Sequence, residues 1–205
     1  MKTYYTKTAY LLFIALLTHL PVHAQFHVGI KAGIALSNIS EKTSSPEKTN
    51  YHSRIMGTGG FFAHINLGKK FLLRPELTIT GKGAKARYVT TYFNYNTNTY
   101  TQSSYIDKTT FNYIDIPVNL LYVIPLDEKK LLAGGGPVIS LLLNKEANYG
   151  METTDMGVNL LLLYEWPIGF SIGVNFMQGL KDISYSYNSN NIKNHYLGFT
   201  TGYWF

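Results

Sequence analysis

The chain has 205 residues, a formal net charge of +6, no cysteine, and equal 15% shares of charged and aromatic residues. That length suits one domain plus a removable segment, and the lack of cysteine excludes both a disulfide framework and a lipid-anchored N-terminus. Beyond the first segment no apolar run approaches the roughly 20 residues of a spanning helix, so the remainder either is soluble or crosses a membrane as a closed barrel.

The first 24 residues read as a secretory signal peptide: Lys2 and Lys7 are the basic start, residues 9–17 the apolar run, and Val22-His23-Ala24 the cleavage site before Gln25. The apolar run is too short for an ordinary transmembrane helix. The expected layout is a cleaved signal peptide over 1–24 and a barrel domain over 25–205. Export, together with scattered lysines, argues against nucleic acid as a partner despite a pI near 9.3.

The first strand covers residues 26–36. Phe26, Val28, Ile30, Ala32, Ile34 and Leu36 form an apolar face, and His27, Gly29, Lys31, Gly33 and Ala35 a small or polar one. That is the lipid-out, lumen-in alternation of a transmembrane barrel strand. A polar loop over 38–53 leads to a second strand over 54–67 and a tight turn at 68–70. The third strand, from Phe71 to about Tyr88, alternates Leu73, Pro75, Leu77 and Ile79 with Arg74, Glu76, Thr78, Thr80 and Lys82. Pro75 marks a local weak point, because proline has no N–H to give the ladder. The longest expected loop, about 89–109, is built of Thr, Tyr, Asn and Ser.

The fourth strand, about 110–124, sends Ile114, Ile116, Val118, Leu120 and Tyr122 outward and Tyr113, Asp115 and Asn119 inward. After a turn over 125–130 comes the fifth strand, 131–143, where Gly134 to Gly136 signal either a bulge or tight curvature. A polar loop over 144–154 precedes the sixth strand, 155–166, in which Leu161 and Leu163 break the polar-inside rule. The seventh strand begins at Phe170 after a turn at Pro167. A last loop, about 181–194, leads to the eighth strand, whose alternation ends on Tyr203 and Phe205. An apolar, aromatic terminal strand left as a free edge would be a template for aggregation, whereas a barrel that closes its last strand onto its first has no such edge.

The connections alternate long and short. In bacterial barrels the periplasmic turns are the short ones, so an even strand count puts both termini in the periplasm. Phe26, Tyr122, Tyr164, Trp166, Phe170, Tyr203 and Phe205 fall at that end and would form an interfacial girdle.

Short motifs recur along these strands: Val28-Gly29-Ile30-Lys31-Ala32-Gly33 with Ser37-Asn38, Arg74-Pro75-Glu76-Leu77 with Gly81-Lys82-Gly83, Tyr113-Ile114-Asp115-Ile116-Pro117, Gly135-Gly136-Pro137, and Gln178-Gly179-Leu180 with Asp182-Ile183. In this order and spacing the chain resembles the small outer-membrane β-barrel family of Gram-negative bacteria that includes PorT. The resemblance implies an all-β, eight-stranded antiparallel up-and-down barrel in the outer membrane, inserted by the barrel-assembly machinery, with a PorT-like accessory role in secretion among its members. The C-terminus departs from the usual assembly signal in one respect: Thr200 stands where a glycine is expected, with Gly198 and Gly202 on either side.

Two residue sets are candidates for function. The inward charges Lys31, Arg74, Glu76, Lys82, Asp115 and Glu165 would form a polar network in the lumen, with Arg74, Glu76 and Asp115 meeting across neighbouring strands. Eight strands leave room only for side chains or one small ligand, so a self-satisfied, space-filling network is the expected role and a polar pathway the alternative. In the outer loops, Tyr92, Phe93, Tyr95, Tyr100, Tyr105, Tyr185 and Tyr187 offer an adaptable binding surface for an envelope protein or glycan; the competing structural reading is that the third and fourth strands extend beyond the membrane. His27, His52, His64 and His195 lack the spacing of a nucleophilic triad or a metal site, and neither Gly57 to Gly60 nor Gly134 to Gly136 is followed by the Lys-Ser/Thr of a phosphate loop. No cofactor and no catalytic activity are expected. The expected role is structural or loop-mediated binding; a narrow pore and an outer-membrane enzyme are the alternatives, and a soluble lipocalin-like barrel would need the opposite polarity of faces.

Overall fold

The computed structural model describes residues 26–42, 50–94, 98–143, 152–183 and 191–205, so the predicted signal peptide and Tyr95, Tyr185 and Tyr187 lie outside the described residues. Alternating sequence over the described residues forms nine strands: β1 Phe26–Lys42, β2 Asn50–His52, β3 Arg54–Leu67, β4 Phe71–Asn94, β5 Thr99–Leu126, β6 Lys129–Leu142, β7 Thr154–Glu165, β8 Phe170–Gly179 and β9 Asn191–Trp204. All pairings are antiparallel. The ring runs β4-β3-β1-β9-β8-β7-β6-β5 and is closed by β4 against β5. The short β2 continues the β3 wall along β4: His52 pairs with Lys85 and Thr58 with Thr80. One extra residue therefore lies on the β2–β3 side, a bulge at the mouth. The walls number eight, as the alternation predicted.

The register can be followed once round the ring: Phe26 to Ile65, Leu73, Leu120, Gly135, Leu160, Phe176, Leu197 and back to Leu36. The circuit returns ten residues higher on β1, a stagger that tilts the strands by about 40° and leaves an interior that side chains can fill. The stations of this circuit lie on the outward face, where apolar side chains such as Phe61 (65% exposed) and Leu160 (59%) are left to lipid. At the short-turn end the outward aromatics meet ring to ring: Phe71 with Tyr122 at 5.5 Å, Tyr164 with Trp166 at 4.6 Å, and Trp166 with Phe170 at 5.4 Å. The turns there use left-handed residues, Gly68 (φ 82°), Asp127 (φ 54°) and Gly169 (φ 87°).

The expected loop boundaries change. The long loop expected over 89–109 is largely strand: β4 and β5 pair without interruption from Gly81–Asn112 out to Asn94–Thr99. Thr, Tyr and Val favour extended backbone even where both faces meet water, so the loop boundaries give way to the structural reading, in which the third and fourth strands extend beyond the membrane-spanning part. β1 likewise runs on to Lys42 through residues expected to be loop. At Gly134 to Gly136 there is no bulge, because the registers with β5 and β7 pass through unshifted. Tight curvature is what remains: a Cβ on Gly134 or Gly136 would fall on the Leu120 or Val118 carbonyl of β5. At Pro75, the β3–β4 ladder loses the rungs between Phe62–Glu76 and Ile65–Leu73, while the register continues on either side.

Leu161 and Leu163, which break the polar-inside rule, have a physical reason. With Leu72, Leu121 and Leu132 they form a buried apolar plug against β4 to β7 near the short turns. A second cluster, Ile39, Ala84, Phe111 and Tyr113, with Tyr51, Leu142 and Ile192 packed on it, closes the other end.

Candidate functional site

Beside the leucine plug, alternation on β1, β3, β4 and β7 turns Lys31, His64, Arg74, Glu76 and Glu165 into the lumen. Lys31 Nζ donates to Glu76 Oε2 at 2.5 Å, and Arg74 Nε donates to Glu76 Oε1 at 2.6 Å. Arg74 Nη1 lies 2.7 Å from His64 Nε2, and His64 Nδ1 lies 3.7 Å from Glu165 Oε2. The Arg74 guanidinium also stacks 3.6 Å above the Phe62 ring, a favourable use of a planar cation that no water reaches. The exposure of Arg74 and Glu76 is 1% and 4%. Burying two cations on one carboxylate is tolerable because both carboxylate oxygens are matched by donors.

A second network lies nearer the mouth. Lys82 Nζ sits 2.8 Å from Asp115 Oδ1 and donates to Ser140 Oγ at 2.8 Å, with the Tyr113 ring centroid 4.6 Å away. Asn194 donates to Asp155 at 3.2 Å. Between the two networks runs an amide chain, Asn175 to Asn159 at 3.2 Å and Asn159 to Asn119 at 3.0 Å. At the rim, Arg54 donates to the Thr109 carbonyl at 3.3 Å and to the Thr110 hydroxyl.

All six predicted lumen charges are thus on the lumen side, but in two groups. Lys31, Arg74 and Glu76 are joined directly and reach Glu165 through His64. Asp115 does not meet Arg74 and Glu76: the register sets it opposite Thr78, while Arg74 faces Asn119. Four residues of strand, about 13 Å, separate the two positions, so Asp115 takes Lys82 instead. His64, Ser140, Asp155 and Asn194 were not in the predicted set. Their signal was parity on the inward face, which finds a lining residue but not its partner. Among the described residues, no three His, Cys, Asp or Glu side chains are grouped to hold a metal.

Of the aromatic set, Tyr92, Phe93, Tyr100 and Tyr105 lie on the β4–β5 hairpin. Beyond Arg87, where β2 ends, the two strands pair only with each other among the described residues, from Tyr88–Tyr105 to Asn94–Thr99. Tyr92, Tyr100 and Tyr105 are 59%, 76% and 59% exposed. Phe93 and Tyr100 stand opposite one another with ring centroids 4.9 Å apart, and Tyr92 is on the other face. The surface is therefore a two-sided ribbon carried by regular ladder bonds.

A family model described as outer membrane protein beta-barrel domain matches residues 21–203. No curated protein matches the chain. Among solved structures, Neisserial surface protein A is similar at 12% identity over 87% of this chain and 97% of that one, with a TM-score of 0.49. The outer membrane protein OprG of Pseudomonas aeruginosa is similar at 11% identity over 89% and 97%, with a TM-score of 0.47. Ail, the attachment invasion locus protein of Yersinia pestis, crystallised with the heparin analogue sucrose octasulfate, is similar at 12% identity over 88% and 99%, with a TM-score of 0.42.

Proposed function

The chain belongs to the family of outer membrane protein β-barrel domains, and from that premise we propose that it serves as a closed wall in the outer membrane whose projecting hairpin binds a partner. The observation that carries the reading is the filled lumen. A leucine plug with an ion network beside it, an amide chain, a second ion network and an aromatic cap follow one another along the axis. A conducting path would have to break buried charge pairs at two levels, and each break leaves an unpaired ion in low dielectric.

In this reading both termini and the short turns are periplasmic, and the hairpin stands outside. The girdle of Phe71, Tyr122, Tyr164, Trp166 and Phe170 at the short-turn end supports that placement. Residues 1–24 are removed on export, outer-membrane lipid surrounds the wall, and the barrel-assembly machinery inserts it. The hairpin partner is an envelope protein or glycan, met by Tyr92, Tyr100 and Tyr105. A PorT-like secretion accessory is one such partner relationship, and nothing in the lumen or hairpin singles it out. No catalytic step is assigned.

Planar-bilayer recording on the purified barrel tests the closed lumen. The expected result is no steady conductance; stable unitary currents would establish the narrow pore instead.

A further inference from the structure

Where β2, β4 and β5 run side by side, His52, Lys85 and Lys108 stand in one row, each directly opposite the next. Arg87, two residues further along β4, shares their face. That face points away from the barrel axis, because the alternate residues Ala84 and Ala86 are buried at 1% and 4%. Cross-strand neighbours carry their Cβ atoms only about 5 Å apart, and like charges in that relation destabilise a sheet. Among the described residues no carboxylate stands in register with the row: Asp107 adjoins Lys108 in sequence but is turned to the other face, opposite Ala86. Three permanent cations and a histidine are thus gathered without a counter-ion from the rows they occupy.

Their height on the wall identifies the missing anion. Below them on the same face come Gly83, Gly81, Ile79 and Leu77 on β4, and Thr110, Asn112, Ile114 and Ile116 on β5. An apolar band about 25 Å tall, measured up the tilted strands from Phe71, ends near Gly81. Lys85 lies four residues higher, about 10 Å further along the axis. That is headgroup depth, and lysine stems reach back toward the boundary. Between band and cations this face carries no large apolar side chain of β4 or β5, only Gly81, Gly83, Thr110 and Asn112, with Met56 lying against Gly81 and Arg54 reaching the Thr110 hydroxyl.

We propose that His52, Lys85, Arg87 and Lys108 bind the phosphorylated headgroup of an outer-leaflet lipid whose acyl chains run down the Ile79–Leu77 and Ile114–Ile116 columns. The site rests on the reading that the hairpin end faces outward. Arg87 supplies a planar, bidentate donor to phosphate, and Lys85 and Lys108 supply point charges on either side. The ligand is a lipid rather than a free phosphate because the cations are spread on a convex wall that continues into the acyl-facing surface, with no enclosing pocket.

The test uses the full barrel in phosphatidylcholine nanodiscs doped with either diphosphorylated or dephosphorylated lipid A, with bound glycolipid counted by native mass spectrometry. Both leaflets of a disc carry the lipid, so orientation in the cell does not enter the readout. The expected result is selective retention of the phosphorylated form, weakened by salt, about fivefold weaker in R87Q and about thirtyfold weaker in K85Q/K108Q. Equal retention of the two forms, an unchanged K85Q/K108Q, or full displacement by millimolar inorganic phosphate would overturn the proposal. K85E guards against a folding artefact: it gives Lys108 a cross-strand carboxylate, so it should keep or raise thermal stability while losing the lipid, and retained binding in K85E would also overturn the site. Protease access to the hairpin in intact cells, and bilayer conductance, report separately on the closed-wall reading. A barrel that conducts yet selects the phosphorylated lipid would refute that reading and uphold this one.

Discussion

Glu76 holds the lower network together, since Lys31 and Arg74 both donate to it. Glu76→Ala leaves two buried cations sharing no anion and should cost about 3–5 kcal/mol. The expected sign is a lower temperature for the gel-mobility shift that marks barrel unfolding. Arg74→Ala keeps the Lys31–Glu76 pair and should cost less; the reverse order would mean that Arg74, not Glu76, is the hub. For the upper pair, Lys82→Met should destabilise more than Lys82→Met with Asp115→Leu, because the double change does not leave the Asp115 carboxylate without its cation. A chemical-denaturation series on the three chains checks that ranking. Alternation along single strands was enough to read Lys31, Arg74, Glu76, Lys82, Asp115 and Glu165 as lumen-facing. It was silent on pairing, because a partner is set by how far each strand slides past its neighbour. Nothing in Tyr113-Ile114-Asp115 records that Asp115 stops opposite Thr78 rather than Arg74.

At the scale of elements, the β4–β5 hairpin separates into a part built into the wall and a part beyond it. Residues past Arg87 on β4 and before Ile106 on β5 pair only with each other among the described residues. Replacing residues 88–105 by a two-residue Asn-Gly turn should therefore leave the heat-modifiable mobility intact while abolishing any partner binding carried by Tyr92, Tyr100 and Tyr105. Loss of the folded barrel would show instead that the ribbon supports the wall. The glycine run on β6 makes the opposite prediction. Gly136→Ala sets a methyl group on the Val118 carbonyl and should cost about 1–3 kcal/mol by overpacking, read as a lower unfolding midpoint. The sequence pattern marked the glycines as special but offered both a bulge and curvature, since only the register on both flanks distinguishes them. The hairpin was legible only as one of two readings for a different reason: once a ribbon leaves the lipid, neither face has to be apolar, and the period-two signal that locates strands disappears.

Across the whole molecule, the eight-walled barrel was legible because lipid outside and a narrow interior enforce one alternation on every strand. Twenty-five ångströms of hydrocarbon, about ten residues of tilted strand, is what made that signal repeat. Deleting Tyr203 to Phe205 removes the Tyr203–Ile30 and Trp204–Gly29 rungs and the bond from Phe205 N to the Val28 carbonyl. The expected outcome is a lower yield of the heat-modifiable form in outer membranes; an unchanged yield would mean that the rest of the β1–β9 ladder suffices. That ladder has a further consequence for how the chain gets there. Every other wall contact joins elements consecutive in sequence, or nearly so, whereas β1 and β9 meet across almost the entire chain. Loop-closure entropy grows only as the logarithm of length, about 0.6 kcal/mol per doubling, but the whole long-range share of it falls on this one contact. The ring is then expected to zip in sequence order and to lock last at β1 against β9, passing through an open, curled sheet with two bare edges. In native-state hydrogen exchange, the amides of Gly29 to Lys42 that face β9 should be the first of the wall to exchange.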